Sequence, residues 1–138
     1  MFQQYFGTNE INKVGFEDIL YSFKNNHIIL INTLPISEQS VLIKGTVLYN
    51  LEAELINDLL RNGNDLEYKI IIYGRNSCDK SVETKYRQLQ KLYPDNNLYV
   101  YSGGLFEWTL LKDVYGATFE TTTDEKDILM FKPESVLK

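Results

Sequence analysis

The feature that most limits how this chain can fold is the run YKIIIY at residues 68–73. Three consecutive isoleucines leave it no polar face, so it reads as a central strand covered on both sides. A short polar loop, GRNSCD, follows it. Val82, Tyr86, Leu89 and Leu92 then recur at helical spacing. Pro94, Asp95, Asn96 and Asn97 form a turn signal, after which Leu98, Tyr99, Val100 and Tyr101 make a further strand. Strand, helix and strand in this order form a compact βαβ unit, which should be parallel and cross over right-handed.

The rest of the chain extends the alternation. Phe16, Ile19, Leu20 and Phe23 fall on one helical face, and Asn25 and Asn26 stop that helix. His27, Ile28, Ile29, Leu30 and Ile31 give a buried strand that ends before Pro35, and residues 46–49 suggest a weaker one. Leu51, Leu55, Ile56, Leu59 and Leu60 mark a helix placed to end at Gly63, with Glu52, Glu54 and Asp58 on its solvated side. Gly103 and Gly104 break the chain before a last helix carrying Leu105, Phe106, Trp108, Leu110 and Leu111. The expected class is therefore α/β, with a mostly parallel central sheet and helices on both faces. There is no internal repeat, low-complexity block or Pro/Gly-rich linker. One domain should span 1–138: a lead-in over 1–13, a body over about 14–117, and a tail over about 118–138. The apolar run Ile128, Leu129, Met130 and Phe131 should pack that tail back on the body.

Composition narrows the partners. The net charge is −5, from 14 basic and 19 acidic residues with no Lys/Arg cluster, which argues against nucleic acid and anionic membrane. No apolar stretch approaches the ~20 residues of a bilayer span. The opening MFQQYFGTNE lacks the features of a signal peptide. The lone cysteine, Cys78, cannot form an internal disulfide, so a reducing compartment such as the cytoplasm is expected.

In an open α/β sheet ligands bind beyond the carboxyl ends of the strands. The strongest strand ends at Tyr73, so Gly74, Arg75, Asn76, Ser77, Cys78, Asp79 and Lys80 form the expected binding loop. It leads into a helix start, where backbone N–H groups and the helix dipole favour an anion or a partner's acidic group. Cys78 is the candidate catalytic residue, because a thiol beside a helix start gains thiolate character, although Asp79 opposes this. The competing reading is a surface loop with an incidental thiol. His27, the only histidine, begins its strand while Cys78 follows the end of one. In a parallel sheet the two are separated by about 16 Å, at ~3.3 Å per residue. That argues against a Cys/His pair, and one Cys with one distant His argues against zinc. No metal and no cofactor is expected. Gly103 and Gly104 lack any accompanying phosphate-loop pattern and read as a tight strand-to-helix turn. Trp108 reads as core.

The order of these pieces resembles the rhodanese-like family, over roughly residues 16–116. Its best local match is the GG-xxx-W element at Gly103, Gly104 and Trp108, supported by ILINTLP at 29–35 and LIKGT at 42–46. The resemblance implies a sulfurtransferase fold whose nucleophilic cysteine comes first in the loop, cradled by backbone N–H groups. Here that position is Gly74, with Cys78 four residues on, and Asn32, Thr33 and Leu34 stand where the family has Asp-x-Arg. The chain is therefore expected to be a catalytically degenerate member that acts as a binding or regulatory module. The alternative is a thiosulfate sulfurtransferase or persulfide carrier using the displaced Cys78. If the cradle is intact, Gly74→Cys alone should bring persulfide formation.

Overall fold

The structure, a computed structural model, describes residues 10–61, 68–93, 97–124 and 127–137. Four strands form one sheet: β1 (Lys13–Val14), β2 (Ile28–Asn32), β3 (Lys69–Tyr73) and β4 (Leu98–Tyr101). Their spatial order is β1-β4-β3-β2, and all pairings are parallel. Among the described residues, three α-helices connect them, α1 (Phe16–Ser22), α2 (Tyr49–Arg61) and α3 (Lys80–Gln90), and a fourth, α4 (Gly104–Tyr115), follows β4. The α/β class and the parallel sheet follow the sequence pattern, and β3 lies between β4 and β2 as its isoleucines require.

Alternation along β3 divides the core. Ile70 and Ile72 face a layer with Ile56 and Leu59 of α2 and Val82, Tyr86 and Leu89 of α3. Ile71 and Tyr73 face the opposite layer, with Ile19 of α1 and Leu105 and Trp108 of α4. Each layer buries the apolar stripe of two helices, so helices cover both faces of the sheet. The strand register puts Asn32 beside Tyr73 and Ile72 beside Val100, so β2, β3 and β4 end at one edge of the sheet.

Several finer expectations need correction. Residues 46–49 do not form a strand: Thr46 makes one isolated bridge to Leu30, and Tyr49 already begins α2. Leu48 and Tyr49 are 56% and 51% exposed, so no second sheet face exists for them to bury. Glu52 is not on a solvated surface. Its carboxylate pairs with Lys85 of α3, and only 15% of its side chain is exposed. The lead-in contributes β1, which the sequence pattern did not show; two residues are too short for a periodicity. The polar stretch after Ala117 hides Phe119, which packs on Phe16 and on Trp108. Gly63 and the turn residues Pro94, Asp95 and Asn96 lie outside the described residues.

Residues 128–131 form a 3-10 turn that buries Phe131 to 1% exposure. Trp108 is fully buried and is ringed edge-on by Phe23, Tyr101 and Phe119. Its indole N–H donates to the Glu120 carbonyl at 2.9 Å, which ties the segment after α4 to that helix. Trp108→Ala should therefore cost about 3–5 kcal/mol, the range for large aromatic truncation in a core. Chemical denaturation of the two proteins measures this difference directly.

Candidate functional site

The 74–80 loop leaves the buried end of β3 and enters α3, at the sheet edge where ligands are expected. Its backbone is held from below by α4. The N–H groups of Leu105 and Phe106 donate to the carbonyls of Gly74 and Arg75 at 2.9 and 2.8 Å. The first N–H groups of a helix have no partner within it, and here the loop supplies acceptors. Gly104 makes this contact possible. Its φ is +68°, and an added Cβ would lie 2.9 Å from the Gly74 carbonyl oxygen and 3.0 Å from the Asn76 backbone. The glycine pair is thus a strand-to-helix turn whose second member carries the loop.

Asp79 closes the loop from above. It is the N-cap of α3, and its Oδ1 accepts from the Ser81 N–H at 3.0 Å and the Ser81 hydroxyl at 2.6 Å. Its Oδ2 accepts from the Arg75 N–H at 2.9 Å, so one carboxylate ties both ends of the loop together. Burial works against its charge but is outweighed by the Arg75 N–H, both Ser81 donors and the Arg75 guanidinium, which hold its pKa below the ordinary 3.8. The Arg75 guanidinium itself pairs with Glu38 in the 3-10 turn at Ile36–Glu38.

Asn76, 8% exposed, fixes the middle of the loop. Its Oδ1 accepts from the Cys78 N–H at 2.9 Å, and its carbonyl from the Asp79 N–H at 3.2 Å. The N–H groups of Arg75, Cys78, Asp79 and Ser81 are therefore all engaged within the loop. Cys78 and Ser77 are exposed, as is Lys80. Cys78 sits between two clefts. One, of about 200 Å³, includes Lys13, Lys80 and Glu83. The other, of about 450 Å³, includes Arg75, Lys80, Lys132 and Glu134.

Gly74 has no room for a side chain. A Cβ there would lie 2.5 Å from Val82 Cγ2 and 2.6 Å from Asp79 Oδ2. The expectation that Gly74→Cys alone supplies a working thiol is therefore corrected: the space is filled by Val82 and the Asp79 carboxylate. His27 is exposed at the start of β2, its ring tilted at 52° against Tyr68 with centroids 4.9 Å apart, at the opposite sheet edge from the loop. Asn32 turns its Oδ1 back onto the Leu34 N–H at 3.0 Å. Among the described residues, no group of three or more His, Cys, Asp or Glu side chains is placed to hold a metal, and no helix is long and apolar enough to cross a membrane.

Sequence reasoning placed the candidate loop directly after β3 but missed what fills it. It weighed Asp79 only as a charge opposing a thiolate. Its signal was available, since Asp directly before a helical pattern is an N-cap signature. The contacts from Glu38 and Phe131 had no such signal, because both come from distant segments.

Two outcomes follow. An Asp79 carboxylate with a depressed pKa stabilises the fold fully above its unfolded pKa, and that contribution fades as pH falls through the lower folded value. Asp79→Ala should thus lose about 0.5–2 kcal/mol at neutral pH, as for other N-caps. The gap to wild type should shrink below about pH 4. Denaturation midpoints measured from pH 3 to 7 would show it. Gly104→Ala should cost about 1–3 kcal/mol, the range for strained backbone, read from the same melts.

No protein-family model matches this chain, and no curated protein matches it. Solved structures do share its fold. An uncharacterized protein from Saccharomyces cerevisiae superposes with a TM-score of 0.52 at 16% identity, covering 74% of this chain and 93% of that one. A protein from Lactobacillus plantarum gives 0.51 at 14% identity, covering 80% and 89%. A protein from Bacillus halodurans gives 0.50 at 14% identity, covering 83% and 80%. Such likeness supports the α/β arrangement and carries nothing about chemistry.

Proposed function

We propose that this chain is a rhodanese-like domain that has given up sulfur transfer and works as a binding or regulatory module centred on the 74–80 loop. The observation that carries this reading is the Asp79 carboxylate. It occupies the space beside Gly74 and takes loop N–H groups that a persulfide or other anion would need. A negative charge already held there repels a second one, and each donor withheld from an oxyanion-type site costs about 3 kcal/mol of stabilisation. A small anion is thus a poor occupant of the loop centre. A partner's acidic group fits the rim better, where Lys80 and Lys132 are exposed beside the cleft of about 450 Å³. Such exposed charges steer and orient a partner more than they tighten it. The lone cysteine supports a cytoplasmic setting.

The second reading is a persulfide carrier using Cys78, favoured by its exposure between the two clefts. The two readings part in a thiosulfate sulfurtransferase assay. The wild-type protein should show negligible turnover, and Gly74→Cys should not restore it. Robust wild-type turnover that disappears in Cys78→Ser would establish the carrier instead. Binding is tested by titrating a glutamate-rich peptide while following amide resonances. The resonances of Lys80 and Lys132 should shift, and a Lys80→Glu/Lys132→Glu chain should lose the response. A wild-type spectrum unmoved by the peptide would count against the rim as the docking site.

A further inference from the structure

The C-terminal segment touches the loop through one buried side chain. Asn76 Nδ2 donates to the Phe131 carbonyl at 2.8 Å, in a contact shielded from solvent. The same amide group, through Oδ1, holds the Cys78 N–H. One planar group therefore joins the tail to the backbone of the cysteine. Phe131 is buried in the core layer under α1 and α4. Beyond it, Lys132, Glu134 and Val136 line the cleft at Cys78, alternate residues of a segment that leaves the 3-10 turn in extended backbone.

Little holds that wall in place. No hydrogen bond or ion pair joins residues 133–137 to the other described residues, and Val136 and Leu137 are 91% and 98% exposed. Within residues 127–137, attachment rests chiefly on the Phe131 ring and the Asn76 amide. The two are linked: one Asn76 amide places its Nδ2 on the Phe131 carbonyl and its Oδ1 on the Cys78 N–H, so loss of the first contact removes the restraint that fixes the orientation of the second. A reoriented Asn76 releases the Cys78 N–H.

We infer that residues 127–137 form a strap whose docking and the conformation of the Cys78 side of the loop are one coupled equilibrium. The strap docks through Phe131, walls the cleft, and sets the loop through Asn76; lifted, it opens the cleft and loosens the loop. Coupling of this kind is reciprocal. A partner that captures the strap alters the loop, and a partner seated on the loop alters the strap. The inference takes the 74–80 loop as the working site, as proposed above, and supplies its regulation.

Amide hydrogen exchange without any partner tests the strap independently of that reading. Phe131→Ala should speed exchange of the Cys78 amide at least tenfold, with a much smaller change at Ile71 in β3. Asn76→Asp keeps an oxygen for the Cys78 N–H but replaces the donor to Phe131 with a repelling carboxylate. It should speed exchange at Met130 and Lys132, whose N–H groups close the 3-10 turn on Asp127 and Leu129. Effects confined to the mutated segment, or equal changes at Ile71, would overturn the coupling. Should Phe131→Ala fail to fold, Asn76→Asp alone decides. A coupled strap in a protein that ignores the acidic peptide would leave this inference standing and remove the proposed partner chemistry.

Discussion

A strand that is apolar on both faces can lie only inside a sheet, and the chain leaving it must turn where the two core layers meet. β3 imposes this here. Ile70 and Ile72 are committed to one layer, and Ile71 and Tyr73 to the other. Its carboxyl end therefore opens beneath the junction of α3, α4 and the C-terminal 3-10 turn. Backbone polar groups in such a place need partners, because water cannot reach all of them. The loop meets this with carbonyls turned to the start of α4 and N–H groups turned to the Asp79 and Asn76 side chains and the Asn76 carbonyl. The sheet edge is a favourable place for an anion, and the anion that fills it belongs to the chain.

Charge and packing act together at that point. Asp79 is one member of a chain of contacts through Arg75 and Glu38 on one side and Ser81 and Thr33 on the other. It therefore joins the loop after β3 to the loop after β2. Removing the carboxylate would leave a cavity beside Gly74 as well as free N–H groups. On the proposed reading, recovering sulfur chemistry would need coordinated changes: a thiol at Gly74, a smaller, uncharged residue at Asp79, and room at Val82, whose Cγ2 would lie 2.5 Å from the new Cβ. The thiol alone leaves the site clashing, and the other changes alone leave it without its nucleophile.

The legible parts of this fold were those encoded by local periodicity. The isoleucines of β3, the helical stripe of α3 and the glycine pair before α4 each state their structure within a few residues. What stayed hidden depends on distance along the chain. β1 is two residues long and gains its place only from β4. Phe119 sits in a polar stretch and is buried by Phe16, about a hundred positions earlier. The pairing of Glu52 with Lys85 turned an expected solvent face into a contact between α2 and α3. The candidate loop could be located from strand strength and topology. Its occupant could not be inferred while Asp79 was weighed for charge and not for capping.

Cys78 is an exposed thiol beside a helix start whose donors are already engaged by a neighbouring side chain. Helix N-termini lower a thiol's pKa by offering unpaired N–H groups and the positive end of a dipole. At α3 those groups face Asp79, one residue closer to the helix, and Ser81 gives it both of its donors. The Cys78 N–H is itself turned to Asn76. The stabilisation available at the helix start is already used by a carboxylate that is charged at neutral pH. What remains variable is the Asn76 amide, bonded on one side to the loop and on the other to the tail. If this protein responds to a partner, the response passes most economically through that amide, since it is the one side-chain group bonded to both segments.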